Sequence, residues 1–232
     1  MKRIILICLM VGIFLFAFAE EKEFTPDENT LLLLHFNEGG GLPKDSSSFE
    51  NRVVANYGTW TEGIAGYGLR FTHKYPYKGV EIEDSKVLRV PTKELTVECW
   101  VKIDEIRETS NIISRPLSMK APKGYVKSFS LIHNKNGKFG FEITTDKGQK
   151  RVYTESSYWK GEWHHIAGVY DGKELKIYVD GKDDTKKVNH LQSGYVLYIS
   201  GIPTIIGGCV PGVASFEGVI DEVRISNCVR YR

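Results

Sequence analysis

The stretch Trp163–Lys182 constrains the fold of this chain more than any other segment, because it contains two strand-like runs, each followed by an Asp-Gly pair. β-Branched and aromatic residues fill both runs, and Asp-Gly readily takes the positive φ that tight hairpins need. Leu175, Ile177 and Val179 fall on one face of the second run. The stretch therefore predicts an antiparallel hairpin with one face on a core and the other in water.

The rest of the chain repeats this pattern of short alternating runs, and helical periodicity is almost absent. In the clearest run, Val97, Cys99 and Val101 share one face and Trp100 lies on the other. Turn residues such as Asn136-Gly137 separate further runs, for which strands are predicted at Val126–His133, Phe139–Thr145, Arg151–Glu155 and Trp163–Tyr170. Many short strands at this spacing predict a two-sheet antiparallel β-sandwich with Greek-key crossings.

Residues 1–19 are typical of a secretory signal peptide. Lys2 and Arg3 precede an apolar run, which ends in the small-x-small sequence Ala17-Phe18-Ala19. The alternative is an uncleaved membrane anchor, although the run is short for a span. We expect an exported protein with a loosely ordered polar leader over residues 20–29 and one domain over residues 30–232.

The charge balance argues against nucleic acid and anionic membranes as partners. Loss of Lys2 and Arg3 from the 31 basic residues leaves 29, which equals the 29 acidic residues. A chain without net charge has no electrostatic footprint for a polyanion. We therefore expect neither nucleic acid nor a membrane as partner, and the expected partner is an extracellular glycan or an envelope protein.

Seven blocks of the chain follow one another in the order of a known family: Thr30–Asn37, Asp45–Ser47, Gly66–Phe71, Leu95–Lys102, Trp163–Lys182, Ile205–Gly208 and Phe216–Ile225. They resemble LamG-like jelly-roll domains, which are relatives of laminin G modules, pentraxins and legume lectins. The resemblance implies an all-β fold, the concanavalin A-like jelly roll, in which the first and last strands pair. Its function stays open, because this fold hosts lectins, glucanases, adhesion modules and structural spacers.

Asp221 is the strongest single candidate for a ligand-binding carboxylate. It falls in the apolar alternating set of Val219, Val223 and Ile225, where a bare carboxylate is costly to desolvate. Ile220 is out of phase with this set, and a bulge that rotates it outward would weaken the argument. The family resemblance implies a structural calcium ion on this side chain, with backbone carbonyls near His35, Asn37, Gly66 and Gly68 completing the site. The alternative is a carboxylate that accepts hydrogen bonds from backbone amides.

Aromatic residues beside turns are the candidates for sugar contacts. Sugar rings stack on exposed aromatic faces, and packing explains Tyr75, Tyr77, Tyr158 and Trp159 least easily. The alternative for each of them is capping of the core, which is common in sandwiches.

Three cysteines remain after signal cleavage. Cys99 alternates with core valines and is predicted to be buried and unpaired. Cys209 and Cys228 bracket the last two blocks, and a bridge between them resembles the C-terminal disulfide of laminin G modules. The alternative is three unpaired thiols.

No catalytic pattern emerges from the sequence. Glucanases of this fold use two carboxylates that face the same side of one strand. Glu81 and Glu83 alternate but lack the third acid of that motif, and Glu98 has no acidic partner on its face. The histidines have no zinc-binding spacing.

We expect an exported, non-catalytic binding module, acting at the cell envelope or outside the cell. A carbohydrate-binding, lectin-like module is the first hypothesis. A protein–protein adhesion or structural module and a divergent glycoside hydrolase are the alternatives.

Overall fold

The computed structural model describes residues 22–72, 78–89, 92–118, 126–186, 193–209 and 214–232. The predicted signal peptide, Tyr75 and Tyr77 lie outside these ranges. Within them, no helix is long and apolar enough to cross a membrane.

Sixteen strands and one short 3₁₀ helix (Val87–Arg89) make up the regular structure of the described residues. The strands are β1 (Thr30–Leu34), β2 (Val53–Ala55), β3 (Thr59–Glu62), β4 (Tyr67–Phe71), β5 (Val80–Ile82), β6 (Leu95–Ile103), β7 (Thr109–Pro116), β8 (Lys127–Asn134), β9 (Phe139–Thr145), β10 (Gly148–Tyr153), β11 (Trp163–Tyr170), β12 (Leu175–Val179), β13 (Lys182–Asp183), β14 (Thr204–Ile206), β15 (Ala214–Ser215) and β16 (Gly218–Ser226).

The strands form two eight-stranded sheets packed face to face, which is the predicted jelly roll. The first sheet has the order β13-β12-β11-β6-β16-β4-β3, with β1 also on β16. The second has the order β10-β9-β8-β7-β14-β5-β2, with β15 also on β7. All pairings are antiparallel except that of β15 with β7. Alternate residues of the longer strands point into one continuous apolar core between the sheets.

The hairpin predicted from the two Asp-Gly pairs is present. β11 and β12 pair from Ile166–Val179 to Tyr170–Leu175. Asp180 and Gly181 both have positive φ, as the turn after β12 requires. The first and last strands also pair as predicted, with Leu32 opposite Ile225.

The two sheets approach each other closely where Gly168 of β11 faces Phe141 of β9. A Cβ at Gly168 would lie 2.3 Å from ring carbons of Phe141. Since real Cβ atoms do not come that close to other atoms, the absence of a side chain at Gly168 is what lets the ring fill the space between the sheets.

Both ends of the described chain pack on the outer face of the first sheet. The Phe24 ring lies edge-on to His165 with 5.6 Å between ring centroids, and the Lys22 ammonium lies 4.4 Å from the centroid of Trp100. Val229 and Tyr231 pack on a second apolar cluster of this face. The part of the leader from Lys22 onward is therefore held against the sheet, contrary to the expectation of a loosely ordered segment, because an aromatic ring and a cation anchor it.

Candidate functional site

A row of polar side chains crosses the outer face of the second sheet. The strand registers place Arg151 opposite Glu142, Glu142 opposite Ser130, and Ser130 opposite Ser114. The neighbours of Ser130 along β8, Phe129 and Leu131, point into the core, so alternation turns this row outward. We call this surface the polar face of the second sheet.

The only carboxylate of β9 is neutralised at the edge of this face. Arg151 donates two hydrogen bonds to Glu142, and Gln149 donates a third. Although burial disfavours the charged form of Arg151, the Glu142 carboxylate holds the pKa of Arg151 above its usual value. The residues Gln149 and Arg151 are exposed, so β10 is the accessible rim of the face, whereas Glu142 has no exposed surface.

Two hydroxyl groups on the polar face lack partners. Ser128 Oγ and Thr144 Oγ1 are buried and make no hydrogen bond with any described residue. Phe129 lies opposite Ile143 in the register, which makes Ser128 and Thr144 near neighbours across β8 and β9. A buried hydroxyl without a partner costs about 1–3 kcal/mol. Such groups can each both donate and accept, which suits the hydroxyls of a sugar.

An aromatic ring lies flat on the same face. Tyr153 is opposite Gly140, and a Cβ on Gly140 would lie 2.9 Å from ring atoms of Tyr153. Arg151 Nη1 donates to Tyr153 Oη over 3.0 Å, which fixes the ring. The ring is half-buried and forms a platform at the rim of the polar face.

The two described aromatics of the predicted sugar site have different surroundings. Tyr158 packs against Phe139 and His164 and donates to Asp184 over 2.7 Å, so it caps the core. Trp159 is 55% exposed beside the turn between β8 and β9. Trp159 therefore stays a candidate for ligand contact, whereas the hydroxyl and ring of Tyr158 are already occupied.

The residues predicted for a calcium site lie in one region of the first sheet. Asn37 Oδ1 accepts from the backbone of the residue after Gly66, over 3.1 Å. A Cβ on Gly68 would lie 3.3 Å from a carbonyl of β16, just before Asp221. The His35 ring contacts the residue that follows Asp221.

The surroundings of the Asp221 carboxylate do not fit a calcium ligand. Its Oδ2 accepts from the N–H groups of Ile64 and Ala65 over 2.8 and 3.2 Å, and its Oδ1 accepts from Glu222 N–H over 2.8 Å. Burial raises the pKa of Asp221 to about 7. Calcium requires oxygen ligands on all sides, whereas these partners are donors. The hydrogen-bonding alternative describes Asp221 better, and calcium stays an untested prediction.

The sequence places Asp221 on the core-facing side of β16, and this prediction is wrong because β16 contains a bulge. Ile220, Val223 and Ile225 all belong to the core between the sheets. The register of β16 on β6 shifts between Asp221 and Arg224, and Glu222 at this shift has a φ of 49°. Asp221 therefore faces outward, opposite Trp100, and is buried by the turn that supplies its amide donors.

The predicted disulfide is not formed. Cys99, Cys209 and Cys228 are all free thiols, and Cys99 is fully buried as predicted. Burial raises the pKa of the Cys99 thiol well above its usual value, so it is unreactive.

The positions of the other two cysteines argue against a bridge. Cys209 lies two residues beyond Gly207, whose Cα is packed on Phe71 at the C-terminal end of β6. The Cys228 carbonyl accepts from Thr96 at the opposite end of that strand. Because each residue of a strand advances about 3.4 Å, the two ends of β6 are about 25 Å apart. A disulfide requires Cα atoms within about 7 Å.

The polar face was missed at the sequence level, although a signal for it exists. Ser128 and Ser130 alternate with core residues in β8, and Glu142 and Thr144 do so in β9. The side facing away from the core therefore carries two serines in β8 and one threonine beside Glu142 in β9, and it has no lysine.

A family model described as the concanavalin A-like lectin/glucanases superfamily matches residues 75–231, which is more than half of the chain. The chain belongs to this superfamily. The two-sheet architecture agrees with this membership, and so does the pairing of the first and last strands.

Solved jelly-roll domains share this fold. Domain 4 of AbnA, a GH43 extracellular arabinanase from Geobacillus stearothermophilus, superposes with a TM-score of 0.61 at 17% identity, covering 87% of this chain and 93% of that one. The botulinum neurotoxin serotype G binding domain superposes with a TM-score of 0.61 at 15% identity, covering 87% of this chain and 48% of that one. At these identities the likeness concerns the fold alone.

A curated relative matches over a shorter stretch. Pappalysin-1 of Homo sapiens is 23% identical over 113 residues, which cover 45% of this chain. The chain spans 7% of the length of that protein.

Proposed function

We propose that this protein is an exported, non-catalytic module that binds a neutral oligosaccharide on the polar face of the second sheet. The observation that carries the proposal is the pair of unpartnered hydroxyls, Ser128 Oγ and Thr144 Oγ1, on a face that also presents Tyr153. Sugar hydroxyls pair with such groups, and a sugar ring packs on an aromatic platform. The ligand reaches the face from the rim at β10, where Gln149 and Arg151 are exposed, and binding has to uncover the buried hydroxyls of Ser128 and Thr144.

The charge of the polar face favours a neutral sugar over an acidic one. Glu142 and Arg151 neutralise each other through two hydrogen bonds. An acidic sugar would have to compete with the Glu142 carboxylate for the Arg151 guanidinium. Structural neighbours include both types: the arabinanase domain was solved with arabinotriose, and a botulinum neurotoxin binding domain was solved with SialylT.

The spacing of carboxylates on the described part of the polar face supports a binding role without hydrolysis. Glu142 on β9 and Glu81 on β5 share one row, which runs through Ser130, Ser114 and Ile205. Four strand spacings separate the two acids, about 19 Å. A glycoside hydrolase needs its two carboxyl groups about 5–9.5 Å apart.

Binding of arabinotriose and of sialyllactose, measured by calorimetry on the purified chain, tests the proposal. We expect binding of the neutral sugar, and a loss of about tenfold in affinity for Tyr153→Ala. Thr144→Val should weaken binding by a similar factor and leave the melting temperature unchanged or higher, since its hydroxyl has no partner to lose.

Lys150→Ala is the matched control, because Lys150 is an exposed residue of β10 that faces away from the row of Arg151. It should bind like the native chain. Equal affinity of Tyr153→Ala and the native chain would place the sugar elsewhere, and binding of sialyllactose alone would contradict the neutral-ligand assignment.

A protein-binding role is the second candidate, and it rests on an exposed apolar stripe. Tyr195, Leu197 and Ile199 alternate along one extended segment and are all exposed. Such a stripe suits addition of a partner segment. A chain that binds no glycan but loses a protein partner on Leu197→Asp would favour this role.

A further inference from the structure

The second cluster of chemical interest joins three segments that are distant in sequence. Glu23 belongs to the leader, His35 follows β1, and Glu222 sits in the bulge of β16. One ligand atom from each lies within 4.8 Å of the other two. His35 Nδ1 is 2.9 Å from Glu222 Oε1 and 3.6 Å from Glu23 Oε1.

These distances match the edges of a tetrahedral metal site. With metal–ligand bonds of about 2.0–2.1 Å, the ligand atoms of a tetrahedral zinc ion lie about 3.3 Å apart. The pairs that involve His35 lie on either side of this value. One imidazole nitrogen and two carboxylate oxygens form a donor set that zinc accepts, with the fourth position left to water.

The surroundings hold two of the three ligands in place. Phe24 N–H donates to Glu222 Oε2 over 2.7 Å, and both Glu222 oxygens face His35 Nδ1, at 2.9 and 3.0 Å. The Asn37 amide donates to Glu23 Oε1 over 3.2 Å. Glu222 has no exposed surface, whereas the Glu23 side chain is half exposed, so an ion has an entry path from the leader side.

We propose that Glu23, His35 and Glu222 bind one zinc-type divalent cation, which fastens the leader to the first sheet. This site differs from the calcium site predicted from the sequence at Asp221, because it uses a nitrogen ligand and none of the Asp221 oxygens. The bulge is what creates it: the positive φ of Glu222 turns this side chain toward His35 while its neighbour Asp221 faces the amide donors.

The test is calorimetric titration of the chelator-treated full chain with Zn²⁺ and, separately, with Ca²⁺. We expect one Zn²⁺ per chain and no saturable heat from Ca²⁺. Glu23→Gln and His35→Gln should each weaken Zn²⁺ binding at least about tenfold. Glu28→Gln, which removes an exposed acid of the same leader, should bind like the native chain.

Thermal unfolding with and without Zn²⁺ shows whether each variant is folded and whether the ion stabilises it. Zn²⁺ should raise the melting temperature of the native chain and of Glu28→Gln but not that of Glu23→Gln, whose exposed side chain is not needed for folding. Native-like Zn²⁺ binding by Glu23→Gln and His35→Gln, or no binding by the native chain, would overturn the proposal. Saturable Ca²⁺ binding to the native chain that both variants lose would overturn the assignment of a zinc-type ion.

Discussion

At the scale of single residues, Glu98 organises the outer face of the first sheet. It has no exposed surface, and it accepts hydrogen bonds from Arg224, His165 and Tyr231 over 2.8, 3.1 and 2.6 Å. Burial favours the neutral acid, but the His165 hydrogen bond and the Arg224 charge outweigh it and hold the pKa of Glu98 below its ordinary value. A charge buried in this way is tolerated because all of its partners are present.

Tyr231→Phe should reveal how much the C-terminal segment depends on that carboxylate. The substitution keeps the ring, which packs against Tyr178, and removes the hydrogen bond to Glu98. We expect a loss of about 1.5–3 kcal/mol in the free energy of unfolding, measured by urea denaturation. Tyr195→Phe is the control, since no described residue bonds the hydroxyl of that exposed side chain. Equal effects of both variants would show that the Glu98 network does not hold the segment.

At the scale of elements, the contact between β11 and β9 sets how closely the sheets pack. Gly168→Ala should place a methyl group against the Phe141 ring and cost about 1–3 kcal/mol or more, measured as a lower melting temperature. Gly40→Ala is the matched control, because a Cβ there meets no atom within 4 Å. If Gly168→Ala melts like Gly40→Ala, the ring has room to move and the sheets are less tightly packed than described.

The elements also show how far the sequence predicts this fold. Strands whose side chains alternate strictly, such as β9 and β11, are found at their predicted limits. The sequence analysis did not predict the central strand β7, because its side chains do not alternate strictly. A bulge places both Ile112 and Ile113 in the core, and the charged Arg115 stands at an inward-facing position. Arg115 is paired with Asp84, a partner that no local pattern indicates.

The polar face and the metal cluster were less predictable than the fold, because local patterns do not show which side chains meet across strands. The polar face depends on the register of four consecutive strands, since Arg151, Glu142 and Ser114 share a row only when β7 to β10 pair as observed. The metal cluster depends on a bulge in β16, which the break in alternation at Ile220 indicates without giving its position or the direction of Glu222. Local patterns define single strands, whereas both sites arise from pairing between strands.

At the scale of the whole molecule, carboxylates whose pKa is lowered in the folded state should make the fold sensitive to acid. Burial opposes ionisation of Asp84, Glu98 and Asp180, but hydrogen-bond donors and nearby cations outweigh it, so the pKa of each lies below its ordinary value of 3.8 or 4.5. A depressed pKa in the folded state stabilises the fold above the unfolded-state pKa, and this stabilisation is lost as the pH falls through the folded-state pKa.

We therefore expect the free energy of unfolding to decrease as the pH falls below about 4.5. Urea denaturation at a series of pH values measures this dependence. Glu98→Gln should be less stable than the native chain at neutral pH and should show a shallower decrease in acid, because one of the titrating groups is gone. An unchanged slope in that variant would assign the acid sensitivity to other carboxylates.

The location of the bound sugar tests the central claim most directly. We would titrate arabinotriose into the isotopically labelled chain and follow its backbone amide signals by NMR. The polar face predicts shifts concentrated at Ser128–Ser130, Glu142–Thr144 and Arg151–Tyr153, with the outer face of the first sheet unaffected. Shifts confined to Trp159 and its neighbours, or to the first sheet, would contradict a binding site on the second sheet.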